Sequence, residues 1–289
     1  MPIEEELPAL GPMLLRSLTT LARRADGPAV EGLTARYTAP AVAPEALAAY
    51  TGYFGGFVSA LPLSALYPLA QRAQLALMLK QAFPFPVVGL VHVANAMQRV
   101  GPFEPGAAWG LDVACHMPEP AGSDAAVRVA FDVTLVQAGS PRATCRSLYQ
   151  VRRAGPRPAG PRPATEPEAP LRGEREPWRL AADEGRRYAR LSGDYNPIHL
   201  SPWTSGLFGF KRPILHGMDA AARVQAGIER GTGLEVSALE IAFKRPIALP
   251  ASVEWVWEPA GDGGGRYAID SADGTVRHLE GRYATGFTP

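Results

Sequence analysis

A carboxylate, an amide and an imidazole lie within one short run of the sequence. Asp194, Asn196 and His199 stand in Gly-Asp-Tyr-Asn-Pro-Ile-His, and the proline after Asn196 is typical of a helix with Asn as its N-cap. Such a helix start projects His199 from its first turn, so that the imidazole and the Asp194 carboxylate converge on one small volume. A water held there would be polarised by the carboxylate and deprotonated by the imidazole. Asn196 would orient that water or the loop.

A second run, His216-Gly217-Met218, opens an amphipathic pattern and offers the complementary chemistry. Gly217 has no Cβ, so its N–H can point along the helix dipole at a substrate carbonyl oxygen. As that oxygen gains enolate character the interaction strengthens, which is the condition for transition-state stabilisation. Purely structural explanations remain open: a stabilised turn for Asp194, an N-cap for Asn196 and for Gly217, and a loop or pocket-lining role for His216.

Other chemistries find less support in the sequence. His199 and His216 lack a third ligand at zinc-like spacing, and the other histidines (His92, His116, His278) are scattered, so we expect no metal. No Gly-Xaa-Ser-Xaa-Gly motif supports a serine hydrolase, and the glycine-rich residues 261–265 follow a strand without opening a helix, which favours a hairpin.

The two halves of the chain show the same order of elements. The second half predicts a helix over residues 218–230, ended by Gly231, and a strand over 234–243. The first half predicts a helix from Pro68 to residue 82, apolar nearly all round, and a strand over 87–97. Three more strand-like runs close each half: 108–114, 126–136 and 143–151, then 253–258, 265–269 and 276–284. The pattern indicates an α+β fold of two copies, each a long helix packed on an antiparallel sheet.

A Pro- and Arg-rich stretch separates these copies. We therefore predict a degenerate N-terminal repeat over residues 1–152, a linker over 153–177 and a catalytic repeat over 178–289. Tyr50 aligns with Tyr188, but the residues after Tyr50 include no Asp, Asn or His, and no His-Gly opens the first helix. We expect the first repeat to be chemically inert and to serve structure and acyl-chain binding.

Composition excludes several classes of function. The 289 residues carry a formal net charge of +1, which argues against nucleic acid or an anionic membrane as partner. The two cysteines, Cys115 and Cys145, are expected to be reduced and mostly buried. The acidic run at residues 4–6 is unlike a secretory signal, and the apolar runs are too short to span a bilayer, so we expect a cytoplasmic protein.

Residues 188–199, together with Phe-Gly-Phe-Lys-Arg-Pro-Ile-Leu-His-Gly-Met over 208–218, resemble the signature of the MaoC-like hydratase family, whose members have the hotdog fold. The resemblance implies two hotdog repeats in one chain, with catalytic Asp194 and His199, a supporting Asn196 and the Gly217 amide as oxyanion donor. It also implies a CoA or acyl-carrier protein thioester as substrate, with no metal and no redox cofactor. The expected substrate-binding residues are Tyr188, Ser192, Gly193, Tyr195 and His216, with Lys211, Arg212, Lys244 and Arg245 as candidates for the CoA phosphates or simply a solvated surface.

The expected reaction is reversible hydration of trans-2-enoyl thioesters to (R)-3-hydroxyacyl thioesters. Two alternatives remain open: a hotdog acyl-CoA thioesterase, and a non-catalytic subunit for thioester binding or assembly. A thioesterase has no evident need for the Asn-Pro-Ile-His element. A further homodimer of the double repeat is possible.

Overall fold

The structure, a computed structural model, describes residues 4–23, 32–117, 127–151 and 171–287. The first half contains β1 (Glu4–Glu6), α1 (Leu10–Thr19), β2 (Leu33–Ala39), α2 (Pro44–Phe54), α3 (Leu63–Met78), β3 (Val91–Arg99), β4 (Trp109–His116), β5 (Arg128–Gln137) and β6 (Ser140–Gln150). The second half contains β7 (Glu174–Leu180), α4 (Glu184–Ser192), α5 (Pro202–Gly206), α6 (Gly217–Thr232), β8 (Val236–Phe243), β9 (Ala251–Pro259), β10 (Gly264–Ser271) and β11 (Arg277–Thr285). Short 3-10 helices lie at Thr20–Ala22 and Pro197–His199.

The described strands form one continuous sheet with an internal near-symmetry. Their order is β1-β2-β4-β5-β6-β3-β8-β11-β10-β9-β7, so the two halves meet where β3 pairs with β8. That pair is antiparallel, with Ala94 opposite Ala242 and Met97 opposite Leu239. Outward from it, the strands of the two halves follow in matching sequence, and only the short β1 pairs in parallel. The prediction of two α+β hotdog repeats in one chain is confirmed.

Helices α3 and α6 occupy the centre, where they pack on the sheet and on each other. Leu66, Ala70 and Leu77 of α3 and Ala221 and Val224 of α6 are all fully buried. Burial of apolar side chains on several sides of α3 matches the nearly uninterrupted apolar pattern of its sequence. Each helix is thus the long central helix of one repeat.

Helix α3 begins five residues before the predicted start, because Pro68 lies inside the helix and not in its first turn. A proline at this position removes one backbone hydrogen bond and crowds the preceding turn. The helix nevertheless continues, since Leu66, Tyr67 and Ala70 around the proline are buried in the core. Tertiary packing has overridden the local signal.

Helix α6 ends later than predicted, for a reason that its glycines make clear. Gly231 lies within the helix, where a Cβ would come 2.9 Å from the Trp257 ring. The helix terminates at Gly233, which has the left-handed conformation with φ of 71°. Gly231 thus serves close packing, and the next glycine serves as the cap.

The predicted linker is too long at its C-terminal end. Residues 153–170 of that linker lie outside the described residues, but β7 already begins at Glu174 and pairs with β9. As the last strand of the sheet β7 has one neighbour only, so it tolerates Pro177 and charged side chains. These are the residues that made the segment resemble a linker.

All eight strands predicted from the sequence are present within a few residues of their expected bounds; residue 126, in one predicted run, lies outside the described residues. Elements that precede each long helix were not predicted: β2 and α2 in the first half, β7 and α4 in the second. Cys115 and Cys145 are free and buried, as expected. In the described part of the chain, no helix has the length and apolarity needed to cross a bilayer.

Candidate active site

The loop that carries the predicted motif is fixed by its own hydrogen bonds. Helix α4 ends at Gly193, which has the left-handed conformation with φ of 78°. The Ser192 hydroxyl donates to the Tyr188 carbonyl oxygen at 2.9 Å and accepts from the Asp194 N–H at 3.1 Å. The Asn196 side chain accepts from the Ile198 N–H at 3.3 Å, so Asn196 is the N-cap of the short helix that carries His199. The predicted helix start is confirmed.

Helix α4 also sits unusually close to the backbone of this short helix. A Cβ at Gly185 would come 2.0 Å from the His199 carbonyl oxygen, so only glycine permits the approach. Glu184, the first residue of α4, accepts from Arg223 of α6 at 3.0 Å and from the Tyr53 hydroxyl of α2. Both repeats therefore hold the helix that precedes the motif.

His199 is held as a neutral imidazole with a defined tautomer. Its Nδ1 lies 2.7 Å from the Ile214 carbonyl oxygen, which can only accept, so we assign the proton to Nδ1 and the lone pair to Nε2. Burial, together with the neighbouring His216, lowers the pKa of His199 to about 3. The side chain is 8% exposed. A neutral imidazole with a free Nε2 is a competent proton acceptor.

The Asp194 carboxylate is partly exposed and accepts one hydrogen bond on each oxygen. Oδ1 accepts from the Asn196 N–H at 3.2 Å, and Oδ2 accepts from Nε2 of Gln71 at 2.9 Å. Burial alone would raise the pKa of Asp194, but the imidazoles of His216 and His199 and these two donors outweigh it and lower the pKa. Asp194 is therefore ionised at neutral pH.

His216 acts on the loop through a main-chain contact. Its Nε2 donates to the Asp194 carbonyl oxygen at 3.0 Å, and its ring stacks on His199 with 3.6 Å between centroids. Burial lowers the pKa of His216 as well. The ring thus ties the carboxylate's backbone to the start of α6 and packs the His199 imidazole. This matches the structural explanation for His216.

Asp194, His199 and His216 each place a potential ligand atom within 4.8 Å of the other two. The expectation that no metal binds was based on the lack of a third group near the two histidines, and that reason was wrong because folding brings Asp194 to them. One nitrogen of each imidazole is already committed to a backbone carbonyl. The absence of a metal stays a prediction.

Gly217 is the first residue of α6, one position before the predicted start, and His216, not Gly217, is its N-cap. The first amides of a helix have no intrahelical acceptor, and no side chain caps this N-terminus within the described residues. A Cβ at Gly217 would lie 2.5 Å from the Phe243 ring. Packing against Phe243 therefore requires glycine independently of any role in binding a carbonyl oxygen.

The other predicted substrate-binding residues fall into two groups. Tyr188 is 1% exposed and lies against the His216 ring at 4.9 Å, while Tyr195 is 45% exposed at the surface of the loop. The basic candidates lie on two adjacent segments, joined by a bridge between Ile214 and Ala248. All four side chains are exposed, and Lys244 is in addition paired with Glu280 at 2.7 Å.

Gln71 is the site residue that the sequence did not reveal. It lies on α3 of the first repeat, 123 positions before the carboxylate to which it donates. The sequence assigned the first repeat only to structure and acyl-chain binding, so this contact with Asp194 was not predicted. A polar side chain on an otherwise apolar helix was the available signal, but nothing in the sequence indicated which residue it contacts.

Comparisons with known proteins find similar sequences. Residues 158–280 match the model of the MaoC like domain. The 3-hydroxyacyl-thioester dehydratase X of Mycobacterium tuberculosis is 29% identical over 227 residues, which cover 76% of this chain and 78% of that protein. The (R)-specific enoyl-CoA hydratase of Aeromonas caviae is 35% identical over 72 residues, which cover 24% of this chain and 54% of that protein.

Solved structures show the same architecture over most of the chain. The crystal structure of HtdX from Mycobacterium tuberculosis superposes with a TM-score of 0.70 at 24% identity, covering 88% of this chain and all of that one. A MaoC-like dehydratase from Phytophthora capsici gives a TM-score of 0.67 at 16% identity, with 89% and 97% covered. The resemblance noted in the sequence is thereby confirmed: residues 158–280 are similar to the MaoC like domain, and the described part of the chain shares the fold of the solved MaoC-like dehydratase.

Proposed function

We propose that the chain catalyses the reversible addition of water to trans-2-enoyl thioesters, giving (R)-3-hydroxyacyl thioesters. The observation that carries the proposal is the approach of the Asp194 carboxylate to a neutral His199 at the N-terminus of α6. The names of the relatives, a 3-hydroxyacyl-thioester dehydratase and an (R)-specific enoyl-CoA hydratase, support the reaction and its stereochemistry.

In the hydration direction, Asp194 and His199 share one water molecule. Nε2 of His199 accepts a proton while the water oxygen forms a bond to C3 of the enoyl group, and the C2–C3 π electrons move toward the thioester oxygen. The Gly217 N–H stabilises the enolate as its charge develops. The proton then returns to C2, so that one water has added across the double bond. Dehydration is the same sequence reversed.

In this mechanism Asn196 acts on the loop and not on the water. Its side-chain oxygen accepts from the Ile198 N–H, and its own N–H donates to Asp194. Both contacts hold the carboxylate and the imidazole in fixed relation. Removing the Asn196 side chain would therefore loosen the geometry of the pair without removing a proton-transfer group.

The thioester is carried by CoA or by an acyl-carrier protein in this proposal. Lys211, Arg212 and Arg245 supply the exposed cations for the phosphates of either carrier, and Lys244 contributes less because Glu280 already neutralises it. The first repeat contributes to acyl-chain binding. No metal and no redox cofactor is needed for water addition polarised by a thioester carbonyl.

The direct test follows the loss of enoyl absorbance when purified protein is mixed with trans-2-enoyl-CoA. We expect turnover that survives EDTA, and its loss in Asp194→Asn and His199→Ala proteins that still unfold at the wild-type temperature. Full activity in both variants would refute the assignment.

The same assay separates the alternatives. Release of free thiol, detected with a thiol reagent, would instead indicate a thioesterase. Stabilisation by CoA esters without turnover would indicate a binding subunit. A ladder of enoyl-CoAs, including branched and dicarboxylic chains and the corresponding acyl-carrier thioesters, then defines the substrate range.

A further inference from the structure

The Asp194 carboxylate receives a hydrogen bond from the repeat that lacks the motif. Gln71 projects from α3, and its side-chain nitrogen lies 2.9 Å from Oδ2. An ionised carboxylate only accepts hydrogen bonds, so the amide must present its N–H₂ group here and not its oxygen. Because the acceptor is ionised, this bond is stronger than one between neutral groups.

The two donors bind different oxygens of the carboxylate. The Asn196 N–H comes from the loop and binds Oδ1, while the Gln71 amide comes from the opposite repeat and binds Oδ2. Two donors on two oxygens fix both the position and the rotation of the group about its last bond. They also favour its charged form, since each bond weakens when the carboxyl is protonated.

We propose that Gln71 is a positioning residue of the active site, which holds the Asp194 carboxylate ionised and oriented from the opposite repeat. The consequence for catalysis rests on the proposed hydration. The contact itself does not, because it follows from the geometry of two side chains. On this view the first repeat is not chemically silent: it contributes the neutral donor that keeps the reactive carboxylate in its charged state.

The surroundings show why a neutral amide suits this position. The titratable groups that interact electrostatically with Asp194 are His199, His216 and Tyr188 of the second repeat and Tyr67, His92 and Tyr149 of the first. Burial raises the pKa of the three tyrosines and lowers that of His92 to about 4, so all four are neutral at neutral pH. Gln71 donates to the carboxylate without introducing a charge.

The glutamine at the matching position of the second repeat does not contact the site. Counted from the first residue of each long helix, Gln225 of α6 occupies the same position as Gln71 of α3. Its side-chain oxygen accepts from the Ser64 N–H at 2.9 Å, and its nitrogen donates to Glu229 at 2.7 Å. Gln225 thus contacts neither Asp194 nor His199, which makes it a matched control.

The experiment measures the titration of the Asp194 carboxyl by carbon NMR in the full chain, with the signal identified by its loss in Asp194→Asn. In Gln71→Leu we expect the pKa of Asp194 to rise by about one unit, the size expected for a lost hydrogen bond to a charged group. The acidic limb of kcat/KM should move upward by the same amount. In Gln225→Leu neither quantity should move, although the protein unfolds more easily.

An unchanged Asp194 titration in a folded Gln71→Leu protein would overturn the proposal, whatever happens to its activity. If the leucine variant does not fold, Gln71→Asn, whose amide falls one methylene short of the carboxylate, gives the same reading. A uniform loss of activity at every pH, with the limb in place, would indicate a merely structural role and would also overturn it. If the wild type turns over no enoyl thioester, the proposed function fails while the titration still decides the role of Gln71.

Discussion

The N-termini of α3 and α6 occupy equivalent positions in the two repeats but differ in the groups that contact them. At the start of α3, the Ser64 N–H is bonded to the Gln225 side chain, deep in the interior. At the start of α6, His216 and Gly217 bring an uncapped turn next to Asp194 and His199. A helix N-terminus attracts electron-rich groups in either case. In the first repeat the protein itself supplies that group, whereas in the second we propose that the substrate does.

Glu229 satisfies further backbone N–H groups near the start of α3. It is fully buried and accepts from the Val58 and Ser59 N–H groups at 2.8 Å each and from the Ser59 hydroxyl at 2.7 Å. One side chain of the second repeat thus satisfies the chain that leads into α3. The start of α3 is thus closed by side chains of the second repeat, whereas the start of α6 has no side-chain cap among the described residues.

The largest expected effect is on kcat, and it should distinguish the N-terminus of α6 from that of α3. Asp194→Asn keeps the hydrogen-bonding shape but removes the charge, and should lower kcat by about 10²–10⁴-fold, the usual contribution of a placed acid or base. Ser64→Ala at the sealed start should leave kcat unchanged. Initial rates with an enoyl-CoA measure both. A comparable loss in the serine variant would contradict the comparison.

The reverse pattern is expected for stability. Glu229→Ala leaves the Val58 N–H and the buried Ser59 N–H without their acceptor, and should reduce the free energy of unfolding by about 3 kcal/mol. The kcat of the folded fraction should remain near wild type. Urea unfolding gives the first quantity and activity at low temperature the second. A stable but inactive variant would place Glu229 in the catalytic machinery instead.

Gly185 tests how closely α4 must approach the motif. In Gly185→Ala the new Cβ meets the His199 carbonyl oxygen, so the helix or the short helix carrying His199 must shift. We expect a loss of about 1–3 kcal/mol in stability, typical of overpacking, together with a lower kcat. Gly52→Ala in α2, where a Cβ meets nothing within 4 Å, is the control: it should leave kcat unchanged and should raise stability by up to about 1 kcal/mol, as alanine favours the helix.

Acid sensitivity should come from both repeats. The pKa of His199 is lowered to about 3 and that of His92 to about 4, from an ordinary value of 6.5, mainly by burial. Below pH 6.5 these histidines therefore bind protons in the unfolded chain but not in the folded chain. The free energy of unfolding falls as the pH drops toward the folded-state pKa values. Each histidine contributes up to about 1.4 kcal/mol per pH unit. Unfolding of His199→Gln and His92→Gln at neutral and mildly acidic pH should show a shallower loss, and equal slopes in all three proteins would contradict this.

The smallest effect is expected at the surface. Lys211→Ala combined with Arg212→Ala should raise KM for an acyl-CoA by about two- to fivefold, since exposed ion pairs contribute about 0.2–1 kcal/mol. The increase should shrink in high salt. Lys244→Ala should do less, because its ammonium is already paired with Glu280. A larger effect for Lys244 would reverse the proposed order of these cations.

Apolar periodicity and the residue types typical of helix and strand ends were sufficient to predict much of this fold. Eight strands and both long helices follow from apolar patterns, and the Asn196 N-cap and the start of α6 follow from residue types that favour helix starts. The errors arose where packing overrides such signals: Pro68 continues a helix because the core surrounds it, and Gly231 stays helical because Trp257 presses against it. Strand β7 escaped notice because an edge strand tolerates proline and charge.

The sequence by itself indicated which repeat holds the candidate reactive groups, because Asp194, Asn196 and His199 lie within one short run. Only the tertiary structure decided the rest of the site. His216 reaches the Asp194 carbonyl across 22 positions and Gln71 reaches its carboxylate across 123. Contacts at such separations depend on how two helices pack and leave no periodic trace along the chain. Asp194 and His199 are thus close in sequence, whereas the contacts that orient them come from distant positions in both repeats.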